Sequence, residues 1–296
     1  MVAKRAHQWC YIRTSRKMKA ICSLPILWLI AAESALAAGA AAFREARVPD
    51  GAPLPATVNR AYRLLVPEGA GKKDGGKFPL VIYLHGAGAK GSDNVKQTAE
   101  VLPRLLATAE LRKKFPCFVL VPQCRDGEDA LGRPNNWVKW ENQVGTQPEQ
   151  WVKAEAEASD QFRAAMAALD DVLKTQPVDA ARVYLTGVSM GGSGSWNWAA
   201  REPQRFAAVV TACGLSEVEK APALAKLPLW AFHGSDDPIA PVGRSRAMVE
   251  ALLALGAPVK FTEYSGAGHG IGERVFTENE HAVFAWLFAQ RKKGIE

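Results

Sequence analysis

Within this 296-residue chain, a serine, an aspartate and a histidine sit where nucleophilic chemistry could be done. Ser189 lies in Leu185-Thr-Gly-Val-Ser-Met-Gly-Gly192, an apolar run that breaks into glycines. A serine hydroxyl at its free pKa is a poor nucleophile. It needs a base, an acid to orient that base, and donors for the developing oxyanion. Gly187 and Gly191, two residues to either side, let the backbone turn sharply from strand to helix and lift the hydroxyl. Alone, this spacing arises by chance in roughly one chain in ten of this length. Two later stretches raise its value. Leu229–Phe232 runs into His233-Gly-Ser-Asp-Asp-Pro-Ile-Ala-Pro241, and Val259–Tyr264 runs into Ser265-Gly-Ala-Gly-His269. Asp237 is thus placed to orient and His269 to act as base. Asp236 is passed over because a shift of one residue turns its carboxylate away. Upstream, Pro79–Leu84 ends in His85-Gly-Ala-Gly88. The Ala87 N–H there and the Met190 N–H at the start of the helix after Ser189 are the expected oxyanion hole.

These residues need a rigid frame, and the apolar pattern supplies one. Near-continuous apolar runs at Pro79–Leu84, Phe118–Val121, Arg182–Thr186, Phe206–Thr211, Leu229–Phe232 and Val259–Tyr264 read as strands buried on both faces. Helical segments alternate with them: from about Asn94 to Ala109, Val152–Lys174, Trp196–Arg201, Val242–Leu255 and Thr277–Gln290. This rhythm predicts an α/β fold, a mostly parallel central sheet with helices on both faces, in a single domain. Thr57–Val66 reads as an early strand, Gly69–Lys77 as a hairpin-like connection, and Ala38–Pro55 as a loose lead-in. The stretch from Gln123 to about Gln150 has no periodicity and carries Trp137 and Trp140. Leaving the carboxyl end of a parallel strand, it is expected to cover the ligand crevice, with Trp137 and Trp140 as substrate-binding residues able to stack on sugars. The competing reading is that both tryptophans pin the loop down.

The chain opens on basic residues (Lys4, Arg5, Arg13, Arg16, Lys17, Lys19), an apolar run from Ala20 to Ala32, and small residues at Ala35 and Ala37. That is the layout of a secretory signal peptide over residues 1–37, with the catalytic domain over 38–296 and a secreted or periplasmic location. An apolar length of about 13 residues falls short of the roughly 20 a membrane span needs. The leader carries six basic residues and one acid, so the net charge of +7 falls to +2 without it. The basic balance therefore makes no case for nucleic acid. Cys117, Cys124 and Cys213 remain; Cys117 and Cys124 bracket an extended strand, too far apart to pair. A bridge from either to Cys213 stays open beside burial of all three as apolar residues. No Cys/His spacing suggests a metal, and no cofactor is expected. His85 is read as a buttress of the loop that follows it, His233 as steadying the Asp237 loop, and His281 as surface.

Taken together, His233-Gly-x-x-Asp237-x-x-Ala-Pro241, Leu84-His-Gly-Ala-Gly88, Gly91-Ser-Asp-Asn94, Pro116–Cys124 and Gly187-Val-Ser-Met-Gly-Gly192 resemble the α/β-hydrolase superfamily. They are most similar to secreted bacterial serine esterases of the dienelactone-hydrolase-like group and to prolyl-oligopeptidase-like enzymes. Ala240 stands where valine is usual, a packing position. The resemblance implies a Ser189–Asp237–His269 triad that cleaves carboxylic esters through an acyl-enzyme; an open site and the tryptophan-bearing loop, not the resemblance, point to small or polysaccharide-linked esters. A serine peptidase is the alternative within the class. A non-catalytic binding protein on the same fold is the alternative outside it.

Overall fold

Strands buried on both faces must alternate their side chains between two cores, and this chain does so. The computed structural model describes residues 41–292 apart from 57, 73–74, 130, 144–149 and 151–152. The signal peptide expected over residues 1–37 lies outside the described residues. Eight strands form one sheet: β1 (Phe43–Arg47), β2 (Ala61–Leu65), β3 (Phe78–Leu84), β4 (Phe118–Pro122), β5 (Val178–Val188), β6 (Ala208–Ala212), β7 (Leu229–Gly234) and β8 (Val259–Tyr264). Their order is β1-β2-β4-β3-β5-β6-β7-β8, with the β1–β2 and β2–β4 pairs antiparallel and the remaining pairs parallel. The helices are α1 (Val101–Leu106), α2 (Ala109–Lys114), α3 (Asp160–Thr175), α4 (Met190–Arg201), α5 (Ala221–Leu224), α6 (Val242–Ala254) and α7 (Gly272–Phe288).

Alternate residues of β3 show the two cores. Leu80, Ile82 and Leu84 pack with Phe162 and Leu169 of α3, Trp198 of α4 and Met248 of α6. Val81 and Tyr83 pack on the other face with Leu102 of α1 and Phe276 and Phe284 of α7. Burying one such side chain contributes roughly 1.5–3 kcal/mol. A strand with five consecutive residues of this kind therefore anchors the sheet centre and whatever hangs from its end.

Four expectations are corrected. The segment read as a loose lead-in contains β1, held by antiparallel pairing with β2. Gly69–Lys77 does not close a hairpin, because β2 pairs with β4 rather than with β3. The helix expected from about Asn94 is broken at Glu100, whose extended backbone (ψ 160°) starts α1 afresh. The helix expected from Val152 begins at Asp160, where the Ser159 hydroxyl caps it by accepting the Phe162 N–H at 3.1 Å. All three described cysteines are free and buried.

Candidate active site

Ser189 follows β5 directly and takes φ 58° and ψ −119°. Non-glycine residues rarely enter that region, at a cost on the order of 1–3 kcal/mol, so the surroundings must hold it. They do. The Ser189 N–H donates to Ala212 O at 2.8 Å, and its carbonyl accepts the Ser193 N–H at 2.9 Å. The flanking glycines are steric requirements. A Cβ on Gly191 would lie 1.8 Å from Leu84 O, and one on Gly187 would lie 2.2 Å from Gly191 O. Neither position accepts a side chain without parting α4 from the sheet.

His269 stands in the turn after β8. Its Nδ1 is 2.7 Å from Asp237 Oδ2 and its Nε2 is 2.7 Å from Ser189 Oγ. A carboxylate can only accept, so Nδ1 carries the proton and Nε2 is left to accept the serine hydroxyl. Asp237, after β7, has a fully buried side chain. Its Oδ1 accepts the N–H groups of Ile239 and Ala240, both at 2.9 Å. Burial pushes this carboxyl up, but the Ala240 N–H, the His269 ring and the Ile239 N–H together hold it below the usual carboxylate range. Asp236 is exposed and takes the Ser235 hydroxyl instead, at 2.7 Å.

The loop after β3 runs alongside the serine. A Cβ on Gly86 would sit 3.7 Å from Ser189 Cβ. Ala87 opens a single 3-10 turn and Met190 opens α4, so neither N–H has a partner within its own helix. Ala87 is exposed, while Met190 is buried at the start of α4. His85 braces this loop. Its buried ring receives the Cys124 N–H on Nε2 at 2.9 Å and donates from Nδ1 to Gly86 O at 2.7 Å. Burial pushes its pKa down to about 4, which keeps it neutral.

Sequence reasoning missed Glu100. Its carboxylate accepts the Gly86 N–H at 3.1 Å and the Tyr83 hydroxyl at 2.6 Å, and burial raises its pKa. No motif signals it, because it meets the loop only through the fold.

The tryptophans require a correction. Trp137 and Trp140 are both 1% exposed, so neither presents a face for a sugar to stack on. Trp137 Nε1–H donates to His85 O at 3.0 Å, and its Cβ touches α4 where Gly194 leaves room. Trp140 packs with Val138, Ala154, Leu215 and Ala240 and bridges to Ala154. They pin the β4–α3 connection to the sheet instead of lining it for a ligand. His233 is also fully buried, at the foot of the Asp237 loop. His281 is half-buried, with Nδ1 donating to Phe276 O at 2.6 Å.

A sequence model of the dienelactone hydrolase family matches residues 119–286, a span that includes Ser189, Asp237 and His269. Among solved structures, a thermostable esterase is 31% identical, with a TM-score of 0.70 over 86% of this chain and 64% of its own. An acylaminoacyl peptidase from Pyrococcus horikoshii is 16% identical, with a TM-score of 0.58 over 86% of this chain and 42% of its own. A ferulic acid esterase from Anaeromyces mucronatus, solved with ferulic acid, is 12% identical, with a TM-score of 0.53 over 84% of this chain and 90% of its own. The chain thus spans just under two thirds of the thermostable esterase's length and under half of the peptidase's. The two more distant likenesses concern the fold.

Proposed function

The chain belongs to the dienelactone hydrolase family, and from that premise we propose that it is a serine hydrolase cleaving carboxylic esters through an acyl-enzyme. The observation that carries this reading is the unbroken hydrogen-bonded chain from Ser189 Oγ through His269 to Asp237, at 2.7 Å for each link. Ser189 Oγ attacks the acyl carbonyl as His269 Nε2 takes its proton. The Ala87 and Met190 N–H groups receive the oxyanion. His269 then returns the proton to the departing alkoxide, leaving the acyl group on Ser189. A water molecule, activated by the same nitrogen, releases the acid. Asp237 keeps Nδ1 protonated and steadies the imidazolium between steps.

The substrates proposed are small carboxylic esters, free or carried on a polysaccharide, and the basic-apolar leader would deliver the enzyme to the periplasm or medium. The test is fluorophosphonate labelling and p-nitrophenyl acetate hydrolysis by the wild type and by Ser189→Ala. Labelling at Ser189 together with loss of turnover in the variant is expected; equal rates sink the proposal. Peptide amides run beside acetyl and feruloyl esters separate the esterase reading from the peptidase one, since amide turnover without ester turnover reverses it.

A further inference from the structure

Behind the Asp237 carboxylate lies a second imidazole that the chemistry above does not use. His233 ends near the close of β7, fully buried. Its Nδ1 is 2.8 Å from Ser245 Oγ on α6. Its Nε2 is 2.9 Å from Ala240 O and 3.2 Å from Asp237 Oδ2. Burial lowers its pKa, so the ring is neutral and holds one proton. A carbonyl and a carboxylate both only accept, which puts that proton on Nε2 and makes Ser245 the donor to Nδ1.

Building on the serine hydrolase reading, we infer that His233 is a positioning residue whose Nε2–H is a second imidazole donor to the Asp237 oxygen that also holds His269. Among the described residues, three titratable groups face Asp237 from the elements around it. They are His269 after β8, His233 on β7, and Cys213 after β6, whose thiol burial pushes up to about 12. Cys213, His233 and Asp237 bring ligand atoms within 4.8 Å of one another, the spacing of a metal site. His233 has no lone pair to give, however, because Nδ1 already accepts from Ser245 and Nε2 carries the proton.

The consequence is electrostatic. A carboxylate oxygen shared between two donors pulls less strongly on either one. His233 therefore moderates the attraction of Asp237 for the His269 imidazolium. It also helps fix the carboxylate rotamer through its own contact with Oδ2. Without this donor Asp237 holds the imidazolium more tightly, and the acid limb of kcat/KM is expected to move to higher pH.

Two variants of similar size separate this from plain packing. His233→Met fills the space with no donor, whereas His233→Gln offers an amide N–H near the place of Nε2. His233→Met should move the acid limb to higher pH and lower kcat below pH 7 roughly tenfold with KM unchanged. His233→Gln should restore the limb. A folded Met variant with the wild-type limb, or Gln and Met variants equally slow with unmoved limbs, overturns the inference. Should the Met variant not fold, the wild-type ring still decides it by 15N NMR at pH 7. The Nε2–H tautomer is expected for His233, and the Nδ1–H tautomer overturns the inference. Wild-type protein that neither labels at Ser189 nor turns over esters would defeat the hydrolase reading, while the tautomer measurement would still report on the His233–Asp237 contact.

Discussion

The ends of β5, β7 and β8 and the long β4–α3 connection sit on the same edge of the sheet but owe their places to different forces. Ser189 follows Val188 with nothing between, Asp237 comes three residues after Gly234, and His269 comes five after Tyr264. Parallel pairing aligns Gly234 with Tyr264 and Gly187 with Thr211, so strand register by itself brings these short turns together. The β4–α3 connection has no such rail. It is fixed by distant partners: Trp137 Nε1–H to His85 O, the Ala154 N–H to Glu217 Oε1, and Arg201 Nη1 to Ala156 O. Short turns on a rigid sheet can be placed from local pattern. A long loop is placed by whatever it happens to pack on.

If this division holds, damage to the strand-end turns should cost turnover and damage to the connection should cost stability. Ser189→Ala should lower kcat by about 10^4 or more with the melting temperature nearly unchanged, and Asp237→Asn by about 10^3 to 10^4. Esterase assays beside thermal melts check both, and a large loss of stability in either would blur the division. Trp137→Ala should destabilise by about 3–5 kcal/mol, because it opens a cavity against α4 and strips a donor from His85 O. Urea titration measures this. A variant of unchanged stability but raised KM would return Trp137 to the substrate side. Gly191→Ala crosses the two categories. Its Cβ would meet the Leu84 carbonyl, so both stability, by about 3 kcal/mol, and labelling of Ser189 should fall.

The smallest expected effect probes His85, where the two regions meet. Its carbonyl takes Trp137, and its ring joins Cys124 to Gly86. Its folded pKa of about 4 lies below its usual 6.5, so between these values the unfolded chain binds the proton more readily. The stability it contributes is present above about pH 6.5 and is lost as pH falls toward 4, by up to about 3 kcal/mol. Unfolding free energies at pH 7 and 4.5 for the wild type and His85→Asn check this. The variant should show the shallower decline, and parallel declines would contradict it.

The legible parts of the molecule were those with short-range causes. The strand cores of β3 to β8 could be read from consecutive apolar residues, since burial on both faces leaves no other pattern. β1 could not, because Phe43-Arg-Glu-Ala-Arg47 has little apolar content and exists through its partner β2. The break at Glu100 was hidden for a related reason. Its carboxylate is drawn to Gly86 and Tyr83, and a helix pattern contains no trace of that attraction.

What the sequence determined alone was the order of parts: glycines where α4 must touch Leu84, a serine between them, and an acid and a base just past two later strands. Those are matters of backbone sterics and strand burial, which act within a few residues. The tertiary structure decided that Trp137 and Trp140 face inward and that Glu100 stands behind the loop it holds. Each of these depends on which distant surfaces close on one another, and a burial partner tens of residues away leaves no local mark.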